Sequence, residues 1–329
     1  MGFGLSIARL AAASAALCLS AVVAPAQDTF TLRGIAPYAS DNYLGQPLLI
    51  FGELLEQKSG GKLKVKFLGA DEVVPPLEQF DAVRNGTVDI ALGVASYYTG
   101  SVPEASSIQF NRDKMPEDLR KNGYIDLMKE LHLSKGNVVY VANAAGRPGG
   151  AFRLYSAKKI TTLDDLKGVR FRVSPVYTAI VEGIGAIPVA LPPADTYSAL
   201  ERGVVEGLGW TYAGTLDYGF PEVAKYVIDH PFYTIVSNII MNKAVYDGLS
   251  QEMKKAVEEA AIEFESKVTA HYDAFVAAED DKLRAAGAEF IKLSDADVEK
   301  YLTAAYEGGW KAFLAKNPEQ GPKIETLLK

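Results

Sequence analysis

Two arginines, Arg170 and Arg172, stand two positions apart in the run VRFRV, where they alternate with Val169, Phe171 and Val173. In a strand this spacing puts both guanidiniums on one face. The run belongs to a longer stretch, DDLKGVRFRVSPVYTAIVEGIGAIPVALPPADTYSALERGVVEGLGWTY, which ends at Tyr212. There the strand-like pieces VRFRV, IPVALP and VVEGLGW are separated by helix-like segments, an alternation that argues for a parallel-sheet α/β lobe. An arginine near the carboxyl end of a parallel strand lies where open α/β sheets bind ligands. Its planar fork can grip a carboxylate through two parallel hydrogen bonds. The residue types leave a second reading open, in which both arginines are solvated charges at a sheet edge.

Residues for covalent or metal chemistry do not assemble in the same way. His132, His230 and His271 fall in different segments, and there is no HExxH pair. The chain has no G-x-S-x-G elbow and no GxGxxG after a strand, since Gly207-Leu208-Gly209 lacks the third glycine. Gly61-Lys62 is followed by Leu63 and lacks the upstream glycine of a phosphate loop. Asp164-Asp165 reads as a helix start. The chain is therefore expected to need no cofactor or metal and to carry out no catalysis.

With 329 residues the chain is long enough for two domains. An apolar fraction of 48% is that of a globular protein, and the net charge of −7 argues against nucleic acid as a partner. Met1 to Ala26 reads as a secretory signal, with Arg9 before the apolar LAAASAALCLSAVV and Ala24-Pro25-Ala26 as an A-x-A cleavage site. The one cysteine, Cys18, lies inside it. The expected mature protein is exported, soluble and free of disulfides.

The elements that must position the arginines follow in order. FTLRGI and LKVKFL read as strands around a helix over PLLIFGELLEQK, whose Pro47 suits a first turn and whose Gly60-Gly61 ends it. LEQFDAVRNG is a helix before the buried strand VDIALGV, and Pro116 to Leu133 reads as a single helix. NVVYVANAAG and AFRLYSA flank a crossover at Gly146–Gly150, and YVIDHPFYTIVSNIIMNK reads as two extended pieces broken at Pro231, a second crossover. Ser250 to Gly287 is the longest helix, with Met253, Val257, Ala260, Phe264, Val268, Tyr272 and Phe275 forming an apolar stripe. At 1.5 Å per residue it is roughly 50 Å long, enough to span two lobes. The expected division is residues 27–149 with 237–278 in one lobe, and 150–236 with 279–329 in the other.

LEQFDAVRNGTVDIALGVASYY and ADTYSALERGVVEGLGWTYAG share an order of helix, glycine turn, valine-acid and strand ending in aromatics. In two lobes facing each other, Tyr97, Tyr98, Trp210 and Tyr212 would end strands that point at the cleft. The same aromatics could equally serve in the core or at its rim.

LDDLKGVRFRV followed by IGAIPVALPPADTYSALERGVVEGL resembles the central signature of the periplasmic substrate-binding subunits of tripartite ATP-independent periplasmic (TRAP) transporters. That signature is a DLKG-x-x-x-R strand, then GA-x-P, Y-x-AL and G-V-V-D/E-G, and here the arginine and the GA pair are two residues closer together. The resemblance implies a two-lobed periplasmic binding protein fold with a long helix spanning both lobes. It further implies a monomer that closes on a small organic anion in the periplasm and hands it to an ion-driven membrane permease. The carboxylate-gripping arginine falls on Arg172, and Arg153 on the region of a second basic contact. Trp210 stands where many members have an asparagine, which argues against a sialic acid or simple C4-dicarboxylate. With Tyr38, Tyr97, Tyr98, Tyr212, Phe232 and Tyr233 around it, the cleft is expected to suit a monocarboxylate with a bulky or aromatic body. Two other readings stay open: presentation of the ligand to a sensor or chemoreceptor, and a secreted hydrolase or lyase.

Overall fold

The structure is a computed structural model that describes Met1 and residues 29–329, apart from 147–149, 175–176, 212–213 and the side chain at 277. The secretory-signal reading therefore lies outside the described residues. Eleven strands, β1 (Phe30–Ile35), β2 (Leu63–Gly69), β3 (Ile90–Val94), β4 (Val138–Asn143), β5 (Phe152–Ser156), β6 (Arg170–Val173), β7 (Ile187–Ala190), β8 (Gly207–Thr211), β9 (Tyr226–Ile228), β10 (Ser237–Asn242) and β11 (Glu289–Ile291), form two sheets among the described residues. The first has the order β2-β1-β3-β10-β4, the second β11-β9-β5-β8-β6-β7.

Each sheet is mixed rather than parallel. In the first, β1 runs parallel to β2 and β3, while β10 is antiparallel to both β3 and β4. In the second, β6 is parallel to β7 and β8, while β5 is antiparallel to β8 and β9. The reversed strands β5 and β10 are those that enter directly from the opposite sheet, so they arrive without the helical return that parallel neighbours need. The two crossing segments pair with each other through Phe152 and Phe232, and the Ala151 amide donates to the Tyr233 carbonyl at 2.6 Å.

The helices are α1 (Gln46–Lys58), α2 (Gln79–Arg84), α3 (Pro116–Lys121), α4 (Tyr124–Gly136), α5 (Thr178–Gly183), α6 (Thr196–Glu201), α7 (Phe220–Val223), α8 (Lys243–Gly248), α9 (Gln251–Ala285), α10 (Asp295–Thr303), α11 (Gly309–Lys316) and α12 (Gly321–Leu328). The single helix expected from Pro116 to Leu133 is two, because Gly123 takes a left-handed φ of 88° that α-helix cannot continue through. Helix α9 begins where Ser250 caps it, its side chain accepting from the Met253 amide, and its 35 residues span roughly 52 Å. Val257, Ala260, Phe264, Val268 and Tyr272 are buried in the core that contains the first sheet, whereas Leu283 belongs to a separate cluster with Tyr155 and Val227 of the second. The helix therefore reaches both.

The C-terminal helices touch elements that pack with both sheets. In residues 309–329, α11 packs on α5 and on the segment 103–110, and α12 packs on the segment 103–110 and on α4. The Asn122 side chain donates to the Leu327 carbonyl at 2.7 Å, and the Lys114 ammonium to the Lys329 carbonyl at 3.1 Å. The apolar face of α12, with Ile324 and Leu328 buried, finds its cover there. Among the described residues no helix is long and apolar enough to cross a membrane.

Candidate ligand-binding site

Strand β6 carries its two arginines to different fates. Arg170, at the exposed start, donates to the Val204 and Gly203 carbonyls at 2.8 and 2.9 Å and lies 3.3 Å from Glu206. It is a turn fastener on the surface. Arg172, near the carboxyl end, is only 2% exposed. Its Nε donates to the Leu191 carbonyl at 3.0 Å and one Nη to the Tyr177 hydroxyl at 2.6 Å. That hydroxyl in turn donates to the Gly209 carbonyl at 2.6 Å, tying β6 to β8. The Trp210 ring lies 4.9 Å from the guanidinium carbon, a cation–π contact.

A buried cation normally has a carboxylate partner, because desolvating it alone is costly. Among the described residues none lies within ion-pair distance of Arg172, although Arg33, Arg120 and Arg153 each have one. Two of the five guanidinium N–H donors, on Nε and one Nη, are bonded to neutral oxygens and so leave the charge uncompensated.

Around this charge is a cavity of about 50 Å³ between the sheets. Tyr38, Tyr97 and Ser237 line it from the first sheet's side, and Phe152, Tyr177 and Trp210 from the second. Burial pushes the Tyr38 phenol well above its ordinary pKa, with the Tyr97 hydroxyl beside it adding to the rise and Arg172 opposing it. Tyr97 is raised for the same first reason, with Tyr38 and Arg172 pulling it down. Tyr218 is pushed up to about 12 by burial and by Tyr97. These phenols stay neutral at physiological pH, so they offer hydrogen bonds and leave Arg172 as the formal charge of the wall. Among the described residues the buried Trp210 indole N–H has no hydrogen-bond partner.

Of the residues expected from the sequence, Arg172, Trp210, Tyr38 and Tyr97 come together, and Tyr212 lies outside the described residues. The others have different duties. Arg153 is held by Asp280 at 2.6 Å and has Asp229 at 3.4 Å, so its charge is neutralised within the second lobe. Phe152, its neighbour, faces the cavity instead. Tyr98 is core: it stacks on Phe80 at 4.3 Å, receives the Asn238 amide at 2.6 Å, and lies 3.1 Å from His132 Nε2. His132 Nδ1 faces the Met128 carbonyl at 2.7 Å and must donate there, so Nε2 accepts from Tyr98. Burial lowers the pKa of this histidine to about 4 and keeps it neutral. Phe232 and Tyr233 are also fully buried. Tyr233 donates its hydroxyl to the Ala305 carbonyl at 2.6 Å while its backbone takes a φ of 54°.

Tyr177, which holds the Arg172 guanidinium, is a residue that sequence reasoning missed. Its signal was the pair of glycines in β8, since glycine inside a strand marks a close approach. A Cβ on Gly209 would lie 2.5 Å from the Tyr177 ring, and one on Gly207 2.4 Å from Phe171. The glycines let the rings pack onto the strand and bring the Tyr177 hydroxyl to Arg172. Tyr177→Phe should keep the ring and remove the oxygen. A hydrogen bond to a charged group contributes about 1.5–3 kcal/mol, so acid binding should weaken at least about tenfold. Calorimetric titration would show this, and unchanged affinity would mean that Arg172 orients itself without Tyr177.

Comparison with known proteins fits this geometry. Residues 37–317 match the sequence profile described as "Bacterial extracellular solute-binding protein, family 7". A solute-binding protein of Albidiferax ferrireducens is 26% identical over 279 residues, covering 81% of this chain and 80% of its own. A monocarboxylate 2-oxoacid-binding periplasmic protein of a Nostoc strain is 25% identical over 251 residues, covering 72% and 67%. Among solved structures, a TRAP periplasmic solute-binding protein from Desulfovibrio salexigens with bound orotic acid superposes with a TM-score of 0.80. It is 23% identical, and the match covers 91% of this chain and 97% of that one, a likeness of fold.

Proposed function

The chain belongs to the bacterial extracellular solute-binding proteins of family 7, and from that premise we propose that it captures a carboxylate-bearing organic acid between its lobes in the periplasm, for delivery to the permease of a TRAP transporter. The observation that carries this reading is the buried Arg172, which among the described residues is bonded only to neutral oxygens. A ligand carboxylate supplies the missing anion and two acceptors for the guanidinium fork. Tyr38, Tyr97 and Tyr177 stand around the same cavity and bring hydroxyl groups to it. The relative that binds 2-oxo monocarboxylates and the neighbour bound to orotic acid support a small acid as cargo.

The two sheets define the lobes of this proposal. The first comprises residues 27–149 and 237–278, joined by 309–329, and the second comprises 150–236 and 279–308. The protein acts as a monomer that binds without turnover. The cavity of about 50 Å³ accommodates a carboxylate and a few further atoms, so a bulky or aromatic body must extend elsewhere or hold the lobes further apart.

A thermal-shift screen of mature protein, unfolded and refolded to strip any bound cargo, tests this against a panel of organic acids, sugars, amines and amino acids. A ligand present at a hundred times its Kd adds about 2.7 kcal/mol to stability, a shift of several degrees. Monocarboxylates should shift the transition and their amides or esters should not. Equal shifts with the uncharged analogues would contradict the proposal.

A further inference from the structure

A second cavity, of about 420 Å³, lies beside the Arg172 pocket, and Ser96 lines both. The two share the wall at Ser96, just beyond β3. On the first-lobe side the wall passes from Tyr97 in the small cavity to Thr99 and Gln109 in the large one. On the second-lobe side it passes from Tyr177 to the adjacent Thr178 and then to Glu182 of α5. Helix α11 completes the larger space with Phe313 and Lys316.

We propose that this second chamber receives the body of the ligand whose carboxylate Arg172 holds, so that the preferred cargo is a monocarboxylate with an extended, uncharged and part-apolar chain. The inference rests on the carboxylate reading of Arg172. The wall chemistry sets the class. Buried Phe110 and Phe313 offer apolar surface, while Thr99, Gln109 and Thr178 offer hydroxyl and amide groups. Formal charge enters only with Glu182 and Lys316, which are solvent-exposed and opposite in sign. A second ionised group on the ligand would find no buried counter-charge there and would stay desolvated. The chamber also removes the size conflict of the small cavity, because a long acid needs room only for its head beside Arg172. The C-terminal helices thereby take part in cargo selection, since α11 supplies part of the wall.

The test is calorimetric titration of refolded protein with straight-chain 2-oxo monocarboxylates, from pyruvate to 2-oxooctanoate. Each methylene buried in the chamber should tighten binding about fourfold. Two fillers, Ala179→Trp on α5 and Ala312→Trp on the exposed side of α11, reduce the space at residues that line the large cavity and not the small one. In either variant the long acids should lose about tenfold or more while pyruvate binds as before, which also shows that the variant is folded. Affinity that does not change with chain length, or long-acid binding untouched in both fillers, would overturn the inference and leave the Arg172 reading standing. Failure of every acid to bind, pyruvate included, would overturn both.

Discussion

Replacing Arg172 with alanine is expected to weaken acid binding by about 2–5 kcal/mol, roughly 30-fold to several thousand-fold in Kd. The range is that for truncating one member of a buried charge pair, where much of the loss is the ligand carboxylate left desolvated and unpaired. Arg172→Lys should also bind poorly, because a point charge on a shorter stem cannot replace a fork oriented from two sides by Leu191 and Tyr177. The same substitutions should cost the empty protein far less. Two hydrogen bonds are lost, but so is the burden of a desolvated cation without a counter-ion, and the two effects oppose each other. Calorimetry paired with melting curves separates the cases. A large binding loss with a small change in melting temperature identifies a ligand clamp; a large fall in melting temperature with affinity retained identifies a structural residue.

The second large effect concerns the anchoring of the long helix. Glu265 of α9 is 1% exposed and is held by Arg120 of α3 through contacts of 2.6 and 3.1 Å, with the Asn143 amide donating at 2.9 Å. Arg120 also bonds Glu258 at 2.7 Å, which Lys129 shares at 2.8 Å. Burial raises the pKa of Glu265 and Arg120 opposes the rise. Arg120→Ala should therefore destabilise the fold by about 3–5 kcal/mol, the cost of an uncompensated buried charge, with a fall in melting temperature on the order of 10 °C. The sign with pH follows. Without Arg120 the folded-state pKa of Glu265 rises further above its unfolded value, so the folded state holds the proton more tightly. The deficit should then be larger at pH 8 than at pH 5. Adding Glu265→Gln to the Arg120→Ala chain should recover part of the loss at pH 8. An equal deficit at both pH values would show that Glu265 is solvated and that the pair acts through packing alone.

These residues also mark what the sequence could and could not reveal. The strands and the long helix were legible because their periods are strong: Val257, Ala260, Phe264 and Val268 recur at three- and four-residue steps and all are buried. Strand alternation put Arg170 and Arg172 on one face and left both open as edge charges, and the resemblance to the TRAP signature is what singled out Arg172. The direction of β5 and β10 was not legible, since a strand's own residues do not say from which sheet the chain arrives. Nor was the break at Gly123, where a glycine inside a helical pattern leaves both outcomes open. The ion pairs of Arg153 were not legible, because its partners, Asp229 and Asp280, lie far from it in the chain and only the fold brings them to its guanidinium. Tyr98 ends the same run as Tyr97, yet its hydroxyl meets Asn238 and His132 in the core. Tyr177 was hidden for the opposite reason, as nothing local says that a glycine two strands away leaves room for its ring.

The most direct test of the account is a crystal structure of the refolded protein soaked or grown with the acid that gives the largest thermal shift. The account predicts the carboxylate in the cavity between the lobes, with both oxygens accepting from the Arg172 guanidinium and the Tyr177 hydroxyl still bonded to it. A carboxylate bound elsewhere, or one in the cavity held without Arg172, would contradict it.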